Sequence, residues 1–98
     1  MKFDPTHLRS VHLVPLTAFD ANDVFNAEVQ AEHVRRMRAA GVSVFLPAAG
    51  TSEFHSLSAN EIVEIVRVTR KAAGDDATIF APIGLQVAHA IDVGRRSL

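Results

Sequence analysis

A short helix-to-strand junction occurs twice in this chain. Ala39-Ala40-Gly41 leads into the apolar run Val42-Ser43-Val44-Phe45-Leu46, and Ala72-Ala73-Gly74 leads into Ala77-Thr78-Ile79-Phe80-Ala81. The first run gives way to a loop reaching Gly50 and the second to one reaching Gly84, so the pattern recurs at roughly 33 residues, the length of one β/α unit. Neither run alternates apolar with polar residues. A strand needs that continuity when both of its faces are covered, as in parallel sheets with helices packed on them. Hairpin and sandwich folds are excluded on this ground.

The remaining segments fit the same plan. Val11-His12-Leu13-Val14-Pro15-Leu16 reads as a first strand, and Thr17-Ala18-Phe19-Asp20-Ala21-Asn22-Asp23, rich in turn formers, as its exit loop. From Asn26 to Ala40 the residues Ala27, Ala31, Val34 and Met37 fall at helical spacing opposite Glu28, Glu32, Arg35 and Arg36, with Asn26 as N-cap and Gly41 as a left-handed stop. Ser58-Ala59-Asn60-Glu61 has the form of a capping box and opens a second helix. Ile62, Ile65, Val66, Thr69 and Ala73 make its buried face, and Gly74 stops it. After Pro82-Ile83-Gly84, the residues Val87, Ile91, Gly94 and Leu98 trace the face of a third helix.

Strand-helix repeats of this length suit a closed eight-fold barrel or an open doubly wound sheet. A barrel of eight units takes roughly 250 residues, whereas these 98 hold about three units. The expectation is therefore an α/β fold made of the first three β/α units of an incomplete (β/α)8 TIM barrel. Residues 1–98 would form the N-terminal part of one domain, with no second domain. Two open sheet edges should leave such a unit marginal alone, or associated with another chain.

Ten Lys and Arg against eleven Asp and Glu give a net charge of −1, which offers no field to attract nucleic acid or an anionic membrane. With no cysteine, thiolate metal sites and cysteine nucleophiles are excluded. The N-terminus carries Asp4 and Pro5 where a secretory signal would be apolar, so a cytoplasmic protein is expected. His7, His12, His33 and His89 are scattered without a carboxylate to complete a ligand set, and no metal is expected. Asp20, Asn22 and Asp23 lack the glycine and terminal glutamate of a calcium loop and read as turn and cap residues.

In both candidate architectures ligands meet the loops at the carboxyl ends of the strands, here Thr17 to Asp23, Ala48 to Ser56, and Pro82 to Gln86. Gly50-Thr51-Ser52-Glu53 is the most informative stretch. Exposed amides and two hydroxyls directly after a strand can hold a carboxylate or phosphate oxygen, though a capped turn joining strand to helix needs the same residues. A phosphate-binding open sheet is the weaker option, because no Gly-x-Gly-x-x-Gly or Gly-Lys-Ser/Thr pattern is present. His55 stands beside this loop as an acid/base or, more simply, a surface residue. Glu53 reads as a loop organiser, and Arg95 and Arg96 lie on a polar helix face.

The segment Gly50-Thr51-Ser52-Glu53-Phe54-His55-Ser56-Leu57-Ser58 resembles the Gly-Thr-Thr-Gly-Glu or Gly-Thr-Gly-Glu segment of the dihydrodipicolinate synthase/N-acetylneuraminate lyase family. Leu16-Thr17-Ala18-Phe19 resembles that family's Thr-Pro-Phe after the first strand. Ala39-Ala40-Gly41-Val42 is similar to its helix-to-strand junction, and Ala81-Pro82-Ile83-Gly84 to its Ala-Gly-x-Gly strand end. Gly50 stands where the synthases usually have a second threonine and Ser52 where they have glycine. The Phe54-His55-Ser56-Leu57 continuation looks more like the sugar-acid dehydratase branch, typified by 5-dehydro-4-deoxyglucarate dehydratase.

The resemblance implies an eight-fold barrel and a homo-oligomer, in which a lysine forms a Schiff base with a pyruvate-like 2-keto acid and no metal or organic cofactor is used. The reaction would be aldol cleavage, condensation or sugar-acid dehydration. It implies a substrate-binding role for Gly50, Thr51 and Ser52, with Thr51 holding the keto-acid carboxylate. No catalytic residue is assigned within the chain. The family's lysine and tyrosine lie on later strands, this chain has no tyrosine, and its lysines are Lys2, near the terminus, and Lys71, in the last turn of a helix. The chain by itself is expected to be inactive. A non-catalytic α/β module stabilised by another chain is the alternative.

Overall fold

The computed structural model describes residues 3–84 and 86–98. Three strands, β1 (His12–Leu13), β2 (Val44–Phe45) and β3 (Thr78–Ile79), alternate with three helices, α1 (Ala27–Ala39), α2 (Ala59–Ala73) and α3 (Val87–Ser97). The sheet is parallel with order β1-β2-β3, pairing His12 with Val44 and Val44 with Thr78. This is the α/β arrangement the repeat requires.

The strands pair over fewer residues than the apolar runs suggest. Each run meets a proline within three residues of its paired segment: Pro15 after β1, Pro47 after β2 and Pro82 after β3. Proline brings no amide to a ladder, so pairing stops while the chain stays extended. Single bonds continue just past the pairs, from the Leu46 amide to the Leu13 carbonyl at 2.8 Å and from the Phe80 amide to the Phe45 carbonyl at 2.9 Å.

Central strand β2 is buried completely, both at Val44 and at Phe45. One cluster, Val34, Phe45, Ala73 and Ala77, joins α1, β2 and the end of α2. A second, Ala48, Phe54, Leu57, Ile62, Ile65, Val66 and Val93, joins α2 and α3 to the turn after β2. Helix α2 starts with the expected capping box: the Glu61 amide donates to the Ser58 hydroxyl at 3.1 Å and the Ser58 amide to the Glu61 carboxylate at 2.9 Å. Its face buries Ile62, Ile65, Val66, Thr69 and Ala73 as the spacing predicts, and Val68 in addition.

Two helix faces differ from expectation. In α1 the fully buried residues are Gln30 and Val34, while Ala27, Ala31 and Met37 are half-buried. Gln30 turns inward because its carbonyl oxygen accepts the Ala18 amide at 2.8 Å. In α3 the face traced by Val87, Ile91 and Leu98 points outward, and the residue that packs on α2 is Val93. The helix is apolar on two sides, and the neighbour available to it covers only one.

Arginine side chains, unmarked in the sequence reading, fasten the opposite end of the sheet. Arg38 donates to the Ala73 carbonyl at 3.0 Å, the Val42 carbonyl at 3.2 Å and the Asp76 carboxylate at 2.8 Å. Arg70 donates to the Gly74 and Ala77 carbonyls at 2.8 and 2.6 Å, which ties the end of α2 to the turn that leads into β3. The N-terminal turn Pro5–Arg9 lies at this end too, with His7 Nδ1 2.6 Å from the Thr78 hydroxyl.

Arg38→Ala removes the three bonds at once and should cost about 1–3 kcal/mol in urea unfolding. Arg38→Lys should recover little, because a point charge cannot span three acceptors. Arg67 donates to Glu64 at 2.6 and 2.9 Å, and these bonds hold the Glu64 carboxyl below the usual carboxylate range. A depressed folded-state value means the pair stabilises fully above the unfolded carboxylate range, near about pH 4.3, and that its contribution is lost as pH falls through the folded value. The stability advantage of the native chain over Glu64→Gln should therefore shrink on acidification, measured by urea titrations at a series of pH values.

Candidate functional site

The carboxyl end of the sheet is built by tying the first two exit loops together. The Ser52 hydroxyl donates to the Pro15 carbonyl, and the Thr17 hydroxyl donates to the Ser52 carbonyl at 2.6 Å. Ser52 is fully buried, so its side chain is occupied in joining the loops. The first loop is held in turn by α1, through Gln30 on the Ala18 amide and the Asn26 amide on the Ala18 carbonyl at 2.8 Å. Beyond Ala18 the Asp20 carboxylate accepts the Asn22 and Val24 amides at 2.8 and 3.1 Å, and Phe19 pairs with Phe25. These are turn interactions, as read from the sequence.

Gly50–Ser52 forms a single tight helical turn directly after β2. Ala48 and Glu53, on either side of it, have φ of 56° and 70°, a left-handed conformation that costs a residue with a Cβ roughly 1–2 kcal/mol. Non-glycine residues held this way mark a segment whose shape is imposed by its surroundings. Here these are the Ser52 bonds below and the burial of Ala48 and Phe54. Glu53 organises the turn through its backbone, its amide donating to the Gly50 carbonyl at 3.1 Å, while its carboxylate is exposed and unbonded among the described residues.

The turn leaves donors free at its tip. Gly50 and Thr51 are exposed, neither amide has an acceptor among the described residues, and the Thr51 hydroxyl has no partner there. Two adjacent unbonded amides and a hydroxyl at a strand's carboxyl end are donors from which an anionic oxygen can accept. Nothing steric demands glycine at position 50, since a Cβ added there would meet no atom within 4 Å. The room around this position is open.

The second and third loops also meet. Phe54, His55, Leu57, Gly84, Gln86 and His89 line a cleft of about 240 Å³, in which His89 Nδ1 lies 3.0 Å from the Gly84 carbonyl. The sequence set His55 and His89 far apart, and only the adjacency of neighbouring β/α units brings them to one cleft. Among the described residues no three His, Cys, Asp or Glu side chains gather as a metal site would need. Lys71 is exposed in the last turn of α2, Arg96 bonds Asp92 at 3.2 Å and Asn60 at 2.7 Å, and Lys2 lies outside the described residues. Among the described residues no helix is long and apolar enough to cross a membrane.

Comparison with known proteins gives the arrangement its context. A family model described as the dihydrodipicolinate synthetase family matches residues 7–97. The chain belongs to that family. Over 83 residues it is 34% identical to a Xanthobacter autotrophicus protein named "Probable 5-dehydro-4-deoxyglucarate dehydratase", which covers 80% of this chain and 28% of that one. Over 77 residues it is 35% identical to the 5-dehydro-4-deoxyglucarate dehydratase of Pseudomonas putida, covering 79% of this chain and 25% of the relative. The chain thus spans about a quarter of the length of these curated relatives. A solved structure of a protein assigned to the dihydrodipicolinate synthase family, from Coccidioides immitis, superposes with a TM-score of 0.75 at 21% identity. It covers 86% of this chain and 30% of its own, a likeness of fold.

Ser52→Ala would leave the Pro15 carbonyl buried without its donor. It should lower stability by about 1–3 kcal/mol and raise hydrogen exchange at Ser52 and Glu53, as seen by NMR. Gly50→Thr, filling open space, should change stability by no more than about 0.5 kcal/mol in the same unfolding assay.

Proposed function

We propose that this chain is the opening part of a (β/α)8-barrel lyase and supplies the loop that holds the carboxylate of a 2-keto acid substrate. The observation that carries this reading is the free donor set of Gly50 and Thr51 at the carboxyl end of β2, in a member of the dihydrodipicolinate synthetase family. A carboxylate fixed by two amides and the Thr51 hydroxyl presents its neighbouring keto carbon in one orientation. A lysine amine can then condense there and release water. The resulting iminium draws electrons from the adjacent carbons, which permits cleavage or formation of a carbon–carbon bond, or loss of a hydroxyl, without metal or organic cofactor. The names of the relatives and the Phe54-His55-Ser56-Leu57 continuation favour sugar-acid dehydration.

On this reading Ser52 and Thr17 are positioning residues. They fix the turn that carries Thr51, while Gly50 and Thr51 touch the substrate. On this reading the covalent step belongs to neither Lys2 nor Lys71. Lys71 is exposed in the last turn of α2, and a Schiff-base amine calls for a buried site. The tyrosine that would relay protons is absent from the sequence.

Titration of the 98-residue chain with pyruvate should shift the Gly50 and Thr51 amide resonances, and Thr51→Val should weaken that response several-fold. Treating the pyruvate mixture with borohydride should leave the mass unchanged. No shift at either amide would remove the carboxylate role, and a reduced pyruvate adduct on Lys2 or Lys71 would overturn the claim that the covalent step lies elsewhere.

A further inference from the structure

A groove of about 510 Å³ lies between α1 and α2, within the size range of cavities that hold small organic ligands. None of its lining residues belongs to a strand or to a strand-end loop, so it is separate from the donor turn at Gly50 and Thr51. Short side chains at helical spacing form its floor, Ala27 and Ala31 on α1 and Val68 and Ala72 on α2. Val68 is buried and the three alanines are half-buried, which makes the floor a strip of methyl groups. The rim is charged, with one sign at one end. Glu28 and Arg35 stand two helical turns apart on α1, about 10 Å along its axis. Arg67 and Lys71 stand one turn apart on α2. Glu64 accepts from Nε and Nη2 of Arg67 at 2.9 and 2.6 Å, and Glu32 accepts from Nη2 of Arg35 at 3.3 Å. Each guanidinium is thereby oriented, while its Nη1 is unbonded among the described residues. Neither Lys71 nor Glu28 has an ion-pair partner there.

We propose that this groove is a binding site for an organic anion with a flat, amine-bearing ring, the chemical class of adenosine monophosphate. The anionic end accepts from Nη1 of Arg35 and Arg67 and from the Lys71 ammonium, donors whose geometry and charge suit phosphate oxygens. An anion that uses the free nitrogens leaves the Glu32 and Glu64 bonds in place. The ring covers the methyl groups of Ala27, Ala31, Val68 and Ala72, which removes apolar surface from water. Its amine donates to the Glu28 carboxylate, an acceptor that no described residue occupies. Glu28 also fixes the direction of the ligand, because a second anionic group at that end would meet a like charge. The separation of Glu28 from Arg35 sets the distance from amine to anion at about 10 Å. The site is independent of the lyase reading, since it shares no residue with the loop that carries Thr51.

The experiment is an NMR titration of the 98-residue chain with adenosine monophosphate, and in parallel with inosine monophosphate and inorganic phosphate. Adenosine monophosphate should shift the amide resonances of Ala31, Val68 and Lys71. Inosine monophosphate carries a carbonyl in place of the ring amine, sets acceptor against acceptor at Glu28, and should bind about tenfold more weakly. Glu28→Gln should erase that difference, because an amide both donates and accepts. Lys71→Gln should weaken adenosine monophosphate about threefold. Both substituted positions are exposed, so circular dichroism of the variants should match the native chain. Absence of shifts at the groove overturns the proposal, and so do shifts confined to Gly50 and Thr51. Inorganic phosphate binding as tightly as the nucleotide, or equal affinity for the two nucleotides in the native chain, overturns it as well.

Discussion

Burial of β2 on both faces is the constraint from which the other features of the structure follow. A strand without a solvent side must satisfy its amides and carbonyls with strands at both flanks, and must meet apolar side chains above and below. Val44 and Phe45 do this with β1, β3, Val34 of α1 and the end of α2. The turn that leaves β2 is consequently delivered to one fixed point, between the loops of its two neighbours. The position of Thr51 is thus a property of the sheet before it is a property of the loop.

Much of this arrangement is legible in the sequence, for identifiable reasons. Continuous apolar runs at a regular period require parallel β/α units, and the capping box at Ser58 marks the start of α2 because its two bonds are local. The buried glutamine of α1 is less legible. Periodicity places Gln30 near the apolar face, but its partner is the Ala18 amide in the preceding loop, and no spacing rule reports that bond. In α3 the sequence shows an apolar helix with two possible inner sides, and packing against α2 selects Val93 over the Val87 side. Helices in a row of repeated units can meet a neighbour on either side, so an apolar stripe alone does not say which neighbour is present.

At the candidate site, the loop is legible in the sequence and the surroundings of its residues are less so. Gly50, Thr51 and Ser52 appear in sequence as equivalent donors, yet the structure gives them different environments. Ser52 is turned inward to Pro15 and the other two face outward. A hydroxyl that reaches across to another strand's carbonyl depends on a register of 37 residues, which local patterns do not carry. The same holds for His55 and His89, which share a cleft only because consecutive units lie side by side.

The prolines that end each ladder have a consequence for solubility. A parallel sheet with two bare edges is a template on which further chains could stack without limit, the route to fibrous aggregates. Pairing over two residues, fenced by Pro15, Pro47 and Pro82, gives a stray strand too little backbone to grip. Such an edge limits further stacking by length as well as by chemistry, because each ladder is brief and a proline follows it closely.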